Sequence, residues 1–292
     1  MDTPLQTVIA PSVTGAVVHP GESGWLATWH LLSLDAPTVA TAWTWFVART
    51  AHVALPVAVP AAMFVAVWLL YAGDRLLDGW FGGEGLEARH RFHQRHRRGF
   101  LVAIAIAVVG LVPLVLAIPG EILRLYVGLA GLLAVWFAVV HLLARRRALR
   151  LPKELAPGAF CAAAAFIPVW ASMGWEHRKL AVAAAAYGLL VTQNCLWIYA
   201  WEHEDAGIAE AHATTQWGVR WLRPLGVATV ALPIVAMPFV GVERVPILLA
   251  AALAAGLLLG LDRMRGWLDR TDLRAAADFV LLTPLLIAAL LR

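Results

Sequence analysis

The distribution of apolar and polar residues along the chain is that of a protein that crosses a membrane repeatedly. Seven uncharged stretches approach or exceed the roughly 20 apolar residues that a spanning helix needs, and short segments with charges, Pro or Gly separate them. Two weaker stretches flank these seven, 36–54 with Arg49 inside and 274–291 with Asp278 inside. The pattern predicts an all-α bundle of nine transmembrane helices. The uncharged stretches are 50–73, 99–120, 125–144, 155–175, 180–201, 224–242 and 245–261.

Composition supports this interpretation. Of the 292 residues, 61% are apolar and only 14% are charged, and the mean hydropathy is +0.73. Soluble domains carry about 25% charged residues, so the chain is neither a soluble globular domain nor a disordered chain. Both cysteines, Cys161 and Cys195, lie in apolar runs. Neither a disulfide framework nor a cysteine metal site is therefore expected.

The basic residues predict the orientation in the membrane. Of the 23 Lys and Arg residues, 17 fall in four alternate loops and six on the opposite side. The four loops are 79–99 with the end of the helix before it, 145–153, 202–223 and 262–274. The positive-inside rule places these loops and the N-terminus in the cytoplasm, in an integral membrane protein of the bacterial inner membrane.

The first 33 residues contain no Lys or Arg and do not have the pattern of a signal peptide. We expect residues 1–33 to form a cytoplasmic or interfacial segment and residues 34–292 to form the transmembrane domain. The aromatic and apolar residues between Trp25 and Leu34 predict a short amphipathic helix in that first segment.

Acidic residues gather at the ends of two predicted spans. Asp74 and Asp78 lie one helical turn apart at the end of the second span. Glu202, Glu204 and Asp205 end the sixth span, which places both groups on the cytoplasmic side. Carboxylates so arranged repel one another and oppose the helix dipole, which indicates a compensating cation. Mg²⁺ suits such a site, since it takes one or two carboxylates together with substrate phosphates. The alternative is that these are solvated helix ends.

Arginines near these acids are candidate phosphate contacts, because the guanidinium group binds phosphate through two parallel hydrogen bonds. Most basic residues in the loops are expected to serve membrane topology or lipid headgroups instead. Pairing with a carboxylate is an alternative for Arg75. The candidates are Arg75, Arg91, Arg146, Arg147 and Lys153.

The two acidic groups resemble the motifs of the UbiA superfamily of intramembrane prenyltransferases. That family has nine transmembrane helices, with acidic motifs that end the second and the sixth. The sequence D-R-L-L-D at 74–78 is similar to the second half of the family's N-D-x-x-D-R-x-x-D motif, whereas Leu70 and Tyr71 replace the first half. Tyr199-Ala200 before the second acidic group is also similar to the family pattern, and Asn194 stands where an Asp is common.

The resemblance implies a central cavity that holds an isoprenyl diphosphate. One Mg²⁺ ion would be bound by Asp74 and Asp78, and a second by Glu202 and Asp205 with Glu204 or Asn194. The implied function is Mg²⁺-dependent transfer of the prenyl group to a lipophilic acceptor. Further side chains expected to bind the substrate are Tyr71, Asn194, Trp197 and Tyr199.

Two other functions remain open at this point. A terpene cyclase of the same superfamily would ionise the prenyl diphosphate without a second substrate. A non-enzymatic isoprenoid carrier or transporter would instead use polar residues within the helices, for which the candidates are Arg49, His141, Gln193, Asn194 and Asp278. The expected partners are an isoprenyl diphosphate, an acceptor and membrane lipids, but no nucleic acid. The oligomeric state is open.

Overall fold

The computed structural model describes residues 24–81, 88–144, 155–172, 177–204 and 211–291, which form helices joined by short turns without any strand. The first six helices are α1 (Trp25–Leu31), α2 (Asp35–Thr50), α3 (Ala58–Phe81), α4 (Ala88–Arg95), α5 (Arg97–Leu116) and α6 (Gly120–Ala144). The others are α7 (Leu155–Ser172), α8 (His177–Glu202), α9 (Ala213–Arg220), α10 (Leu222–Ala236), α11 (Val245–Met264), α12 (Arg270–Phe279) and α13 (Thr283–Leu290). The all-α prediction is confirmed for this part of the chain.

Eight helical segments among the described residues are long and apolar enough to cross a membrane, as expected of an integral membrane protein. Their central residues coincide with eight of the nine predicted spans, and the last of them combines α12, a 3₁₀ turn and α13. The ninth predicted span, 36–54, corresponds to α2, which has only 16 residues. At 1.5 Å per residue α2 is about 24 Å long, shorter than the roughly 30 Å hydrocarbon core. Nine spans therefore remain a prediction.

Helix α2 lies at the centre of the bundle, where it packs against α3, α7, α11 and α12. Its residues Trp43, Phe46 and Val47 are fully buried. The Trp43 ring stacks on Tyr187 of α8 at 4.2 Å, and its indole N–H donates a hydrogen bond to the carbonyl of Leu281 at 2.9 Å. Most of α2 is therefore buried, whereas Trp45 and Arg49, one helical turn apart, are exposed on one side.

Helices α5 and α6 are apolar on all faces and differ from α2 because protein covers little of their surface. Only about 6% of the residues in their apolar windows are buried in the protein, and side chains such as Val109 and Leu116 are largely exposed. A helix that is apolar all round and uncovered by protein is suited to contact lipid. Helix α5 packs on α3 and helix α6 on α7, so the two helices border the region between α3 and α7.

Helix α1 begins at Trp25, where the sequence predicts a short helix, and packs on α4 and α12. Ala27 and His30 are buried, whereas Trp25 is exposed. The two cysteines, Cys161 and Cys195, do not form a disulfide with each other. The absence of a disulfide was expected from their positions in apolar runs.

Candidate functional site

A cavity of about 420 Å³ opens beside the end of α3 and contains the first predicted acidic group. Tyr71, Asp74 and Asp78 of α3 line it together. These three residues are spaced by three and four positions, so the helical repeat directs them to one face. The volume lies within the range of about 300–1,000 Å³ that is typical of small-molecule sites. The structure thus brings the first acidic group and Tyr71 to one cavity.

The rest of the cavity wall is apolar and comes mainly from α6 and α7. Most of its lining is carbon, so the cavity has a polar end at α3 and a long apolar wall. This polarity suits an amphiphile with an anionic or cation-bound headgroup and a hydrocarbon tail. The aromatic residues of the wall are Trp136, Phe137 and Phe160.

Helix α4 lies between the ends of α3 and α8. The Gln94 amide donates a hydrogen bond to the Leu76 carbonyl at 3.1 Å, which attaches α4 to α3. His90 Nε2 lies 3.8 Å from an Asp78 carboxylate oxygen, and the Arg89 guanidinium lies 3.4 Å from the Glu202 carboxylate. Adjacent residues of α4 therefore connect the ends of the two helices.

The second acidic group is engaged by arginines. Glu202 forms ion pairs with Arg89 and with Arg274 of α12, and Glu204 pairs with Arg265 at 3.0 Å. Neither glutamate is among the described residues that line the cavity. In this arrangement the α8 carboxylates are neutralised by guanidinium groups, which is a different environment from the metal site predicted for them.

Trp197 and Tyr199 of α8 also lie away from the described cavity lining. Trp197 is buried and stacks on Trp201 at 5.7 Å, whereas the Tyr199 ring stacks on His203 at 4.0 Å. The Trp201 indole donates to Asp262 at 3.2 Å, which ties α8 to α11.

Of the predicted phosphate contacts, Arg91 lies in a separate cleft of about 800 Å³ between α1, α4 and the start of α12. That cleft also contains Arg95, Asp269 and Asp272 and does not share any described lining residue with the α3 cavity. Four further candidates lie outside the described residues: Arg146, Arg147, Lys153 and Asp205.

Arg75 points into the protein, where its side chain is 5% exposed, and its carboxylate partner is Asp35 at 3.4 Å. The same guanidinium donates to the His30 carbonyl at 2.7 Å and to the Ser33 hydroxyl at 2.9 Å. Arg75 therefore pairs with a carboxylate, which was the alternative to a phosphate contact. A phosphate contact would require these bonds to open.

Arg75 contacts a polar cluster in the bundle interior that the sequence pattern does not predict. We use the name α1–α2 cluster for His30, Asp35, Asp278 and Asn194. His30 Nδ1 lies 2.5 Å from Asp35 Oδ2, and the Asn194 amide nitrogen donates to Asp278 Oδ1 at 2.8 Å. One carboxylate oxygen of Asp35 lies within 4.8 Å of one of Asp278. Asp35 and His30 are 1–2% exposed.

The sequence contains one signal for this cluster. His30, Ser33 and Asp35 are polar residues in an otherwise apolar segment, and Asp278 is the acidic residue inside the last predicted span. Intramembrane ionisable residues of this kind usually face the interior of a bundle and have a functional role. The sequence alone does not show that Asp35 and Asp278, which are 243 positions apart, lie close together.

His93 of α4 extends the network. Its Nδ1–H donates to the Arg89 carbonyl at 2.9 Å, so its Nε2 accepts from the Ser33 hydroxyl at 3.1 Å. Burial lowers the pKa of His93 to about 4, which agrees with a neutral imidazole in both bonds. Burial also lowers the pKa of His30, although the hydrogen bond to Asp35 acts in the opposite direction.

Searches of family models, of curated proteins and of solved structures found no match to this chain. The assignment of function therefore depends on the residues and their geometry.

Proposed function

We propose that this protein is a membrane-embedded enzyme of UbiA type that ionises an isoprenyl diphosphate with Mg²⁺ and transfers the prenyl group to a lipophilic acceptor. The observation that carries the proposal is the position of Asp74 and Asp78 at the polar end of a cavity whose other walls are apolar. The proposed arrangement has nine spans, with this end of the cavity at the cytoplasmic side of a bacterial inner membrane.

The donor set at α3 fits Mg²⁺, because this ion is usually held by one or two carboxylates and completes its coordination with water and phosphate oxygens. Asp78 is half exposed and lies 3.8 Å from His90, which leaves room for an ion. Glu202 fits less well, since Arg89 and Arg274 already neutralise it. We therefore propose Asp74 and Asp78 as the residues that hold Mg²⁺.

Bound Mg²⁺ would neutralise the charge that develops on the departing diphosphate. The protein residues would then act on the rest of the substrate. The aromatic rings of Trp136, Phe137 and Phe160 would contact the prenyl chain and stabilise an allylic cation through their π faces. The apolar wall would keep water from that cation. Tyr71 would donate a hydrogen bond to a diphosphate oxygen from the same face of α3.

The test is release of diphosphate by the purified protein. The enzyme should release diphosphate from C10 to C20 prenyl diphosphates with Mg²⁺ and not without it. Asp78→Asn should lower the rate by about 100-fold or more, because a carboxylate that stabilises the reacting charge is removed. Glu121→Gln is the matched control, since Glu121 is an exposed carboxylate at the start of α6. An unchanged rate in Asp78→Asn would contradict the proposal.

A carrier or transporter is a second candidate, favoured by ionisable residues buried within the bundle, among them Asp35 and Arg75. The same incubation separates the candidates. A carrier would bind the prenyl diphosphate and leave it intact, whereas an enzyme would release diphosphate. Product analysis then separates transfer, which needs an acceptor, from cyclisation, which proceeds on the prenyl diphosphate alone.

A further inference from the structure

The α1–α2 cluster has the features of a metal site distinct from the one at α3. We propose that His30, Asp35, Asp278 and Asn194 bind one divalent transition-metal ion. The donor set combines an imidazole, which suits Zn²⁺ and Fe²⁺, with carboxylates and an amide oxygen, which suit Mn²⁺. Mg²⁺ is a poorer fit because it prefers oxygen ligands throughout.

Ligand atoms from three residues of the cluster lie close enough together to share one ion. One ligand atom from each of His30, Asp35 and Asp278 lies within 4.8 Å of the other two. Two atoms that bind one ion at about 2.1 Å are at most about 4.2 Å apart, so shifts of a few tenths of an ångström would close the site. The donors come from α1, α2 and α12, three helices that are separate along the chain.

The cluster also contains a hydrogen-bond acceptor without a partner. Asn194 is 4% exposed, and its Oδ1 has no hydrogen-bond partner although its amide nitrogen bonds Asp278. A buried acceptor without a partner costs about 1–3 kcal/mol. A proton shared between the two aspartates does not satisfy this oxygen. A cation bound by Asp278 satisfies it once the amide turns over, because the Asn194 oxygen then becomes a ligand in place of the N–H bond to Asp278.

The charges of the cluster also favour a bound cation. The buried Asp35 and the partly buried Asp278 lie near one guanidinium, and the contact from Arg75 to Asp35 is 3.4 Å, longer than the 2.7–2.9 Å of a strong charge-assisted bond. The shorter bonds of Arg75 go to the His30 carbonyl and to Ser33. If both carboxyl groups are ionised, their charge exceeds that of Arg75 by one, and such an excess is costly in the interior unless a cation or a proton compensates it.

The position of the cluster relates it to the cavity. Tyr71, a wall residue of the cavity, lies one helical turn before Arg75 on α3, and Arg75 contacts Asp35 of the cluster. A divalent ion would leave one positive charge in excess behind this wall. That charge would attract an anionic headgroup in the cavity, whatever reaction follows.

Metal content tests the proposal. The protein, prepared without a polyhistidine tag, is equilibrated with Mn²⁺, Zn²⁺ or Fe²⁺, desalted and measured by elemental mass spectrometry. We expect one ion per chain, and a lower thermal midpoint after chelation. Asp278→Asn and His30→Gln should weaken binding by more than about tenfold, since loss of even an outer-shell partner costs about 10–100-fold. Glu121→Gln, the exposed control, should retain the ion.

Wild-type protein that holds none of these three ions would overturn the proposal, with no need for a folded variant. Metal-free wild type together with a more thermostable Asp278→Asn would identify a shared proton between the aspartates instead. The result is independent of the proposed reaction, because no prenyl substrate is present. Asp78→Asn should keep this ion even though it loses diphosphate release, so failure of either proposal is recognised separately.

Discussion

Ser33 has an unusual backbone conformation that the buried network holds in place. Its φ of 59° lies in the left-handed region, which costs a non-glycine residue about 1–2 kcal/mol. The side chain is fully buried, accepts a hydrogen bond from Arg75 and donates one to His93. These contacts offset the cost, and the turn they fix directs His30 and Asp35 toward each other.

His93 makes the stability of this network dependent on pH. The pKa of His93 is about 4 in the folded protein against 6.5 ordinarily, so between these values the unfolded chain binds a proton that the folded protein does not. The contribution of the neutral imidazole is therefore complete above about pH 6.5 and is lost as the pH falls toward 4. By pH 4.5 we expect a loss on the order of 2 kcal/mol.

The measurement is the thermal midpoint in detergent between pH 7.5 and pH 4.5, for wild type and for His93→Gln. Gln retains an amide for Ser33 but does not titrate, so the midpoint of this variant should fall less over the range. Carboxylates titrate alike in both proteins and cancel in the comparison. Parallel curves for the two proteins would contradict the assigned role of His93.

The shared face of the first acidic group follows from the local sequence, whereas the partners of the second group do not. Asp74 and Asp78 share a face because of the helical repeat, which is a local property. The partner of Glu202, Arg274, is 72 positions away on α12, and such a pairing depends on how helices pack. Asp35 and Asp278 likewise come together only through the packing of helices.

At the scale of elements, the crossing of α7 and α8 depends on small residues. A Cβ atom at Gly158 would overlap the Thr192 hydroxyl and would lie 2.5 Å from the Gly188 carbonyl oxygen. Small residues let membrane helices approach closely, because apolar burial alone does not drive association within lipid. This contact supports α7, which supplies part of the cavity wall.

Gly158→Ala should therefore lower the free energy of unfolding by about 1–3 kcal/mol, the usual cost of overpacking. Gly128→Ala in α6 is the matched control, since no heavy atom outside its own helix backbone lies within 4 Å of the added Cβ. The thermal midpoints of both variants in the same detergent measure the effect. Equal midpoints for Gly158→Ala and wild type would mean that the two helices separate without cost.

The long apolar helices were predictable because lipid imposes a minimum length and excludes charge, and both constraints are visible in the sequence. The α4 segment was not predicted as a helix. Its residues are polar, and its attachment to α3 depends on Gln94 and His90, which contact a neighbour that the local pattern does not show.

At the scale of the molecule, the side of the membrane on which the N-terminal segment lies depends on whether α2 crosses. The positive-inside rule predicts that the end of α3 lies in the cytoplasm, which would place the start of α3 outside. If α2 crosses the membrane, residue 34 and everything before it lie in the cytoplasm. If α2 does not cross, the N-terminal segment lies outside, which conflicts with the packing of α1 on α4 at the end of α3. The side of the C-terminus is the same in both cases.

We expect α2 to cross, because it is central in the bundle and its fully buried residues Trp43, Phe46 and Val47 pack against neighbouring helices. A short helix spans by local thinning of the bilayer at a modest cost. A green fluorescent protein fused before residue 1 should therefore fluoresce in bacterial cells, and alkaline phosphatase at the same place should be inactive. Fusions within residues 82–87 serve as the cytoplasmic control. The reverse pattern would show eight spans. It would exclude the nine-helix arrangement on which the proposed UbiA-type function depends.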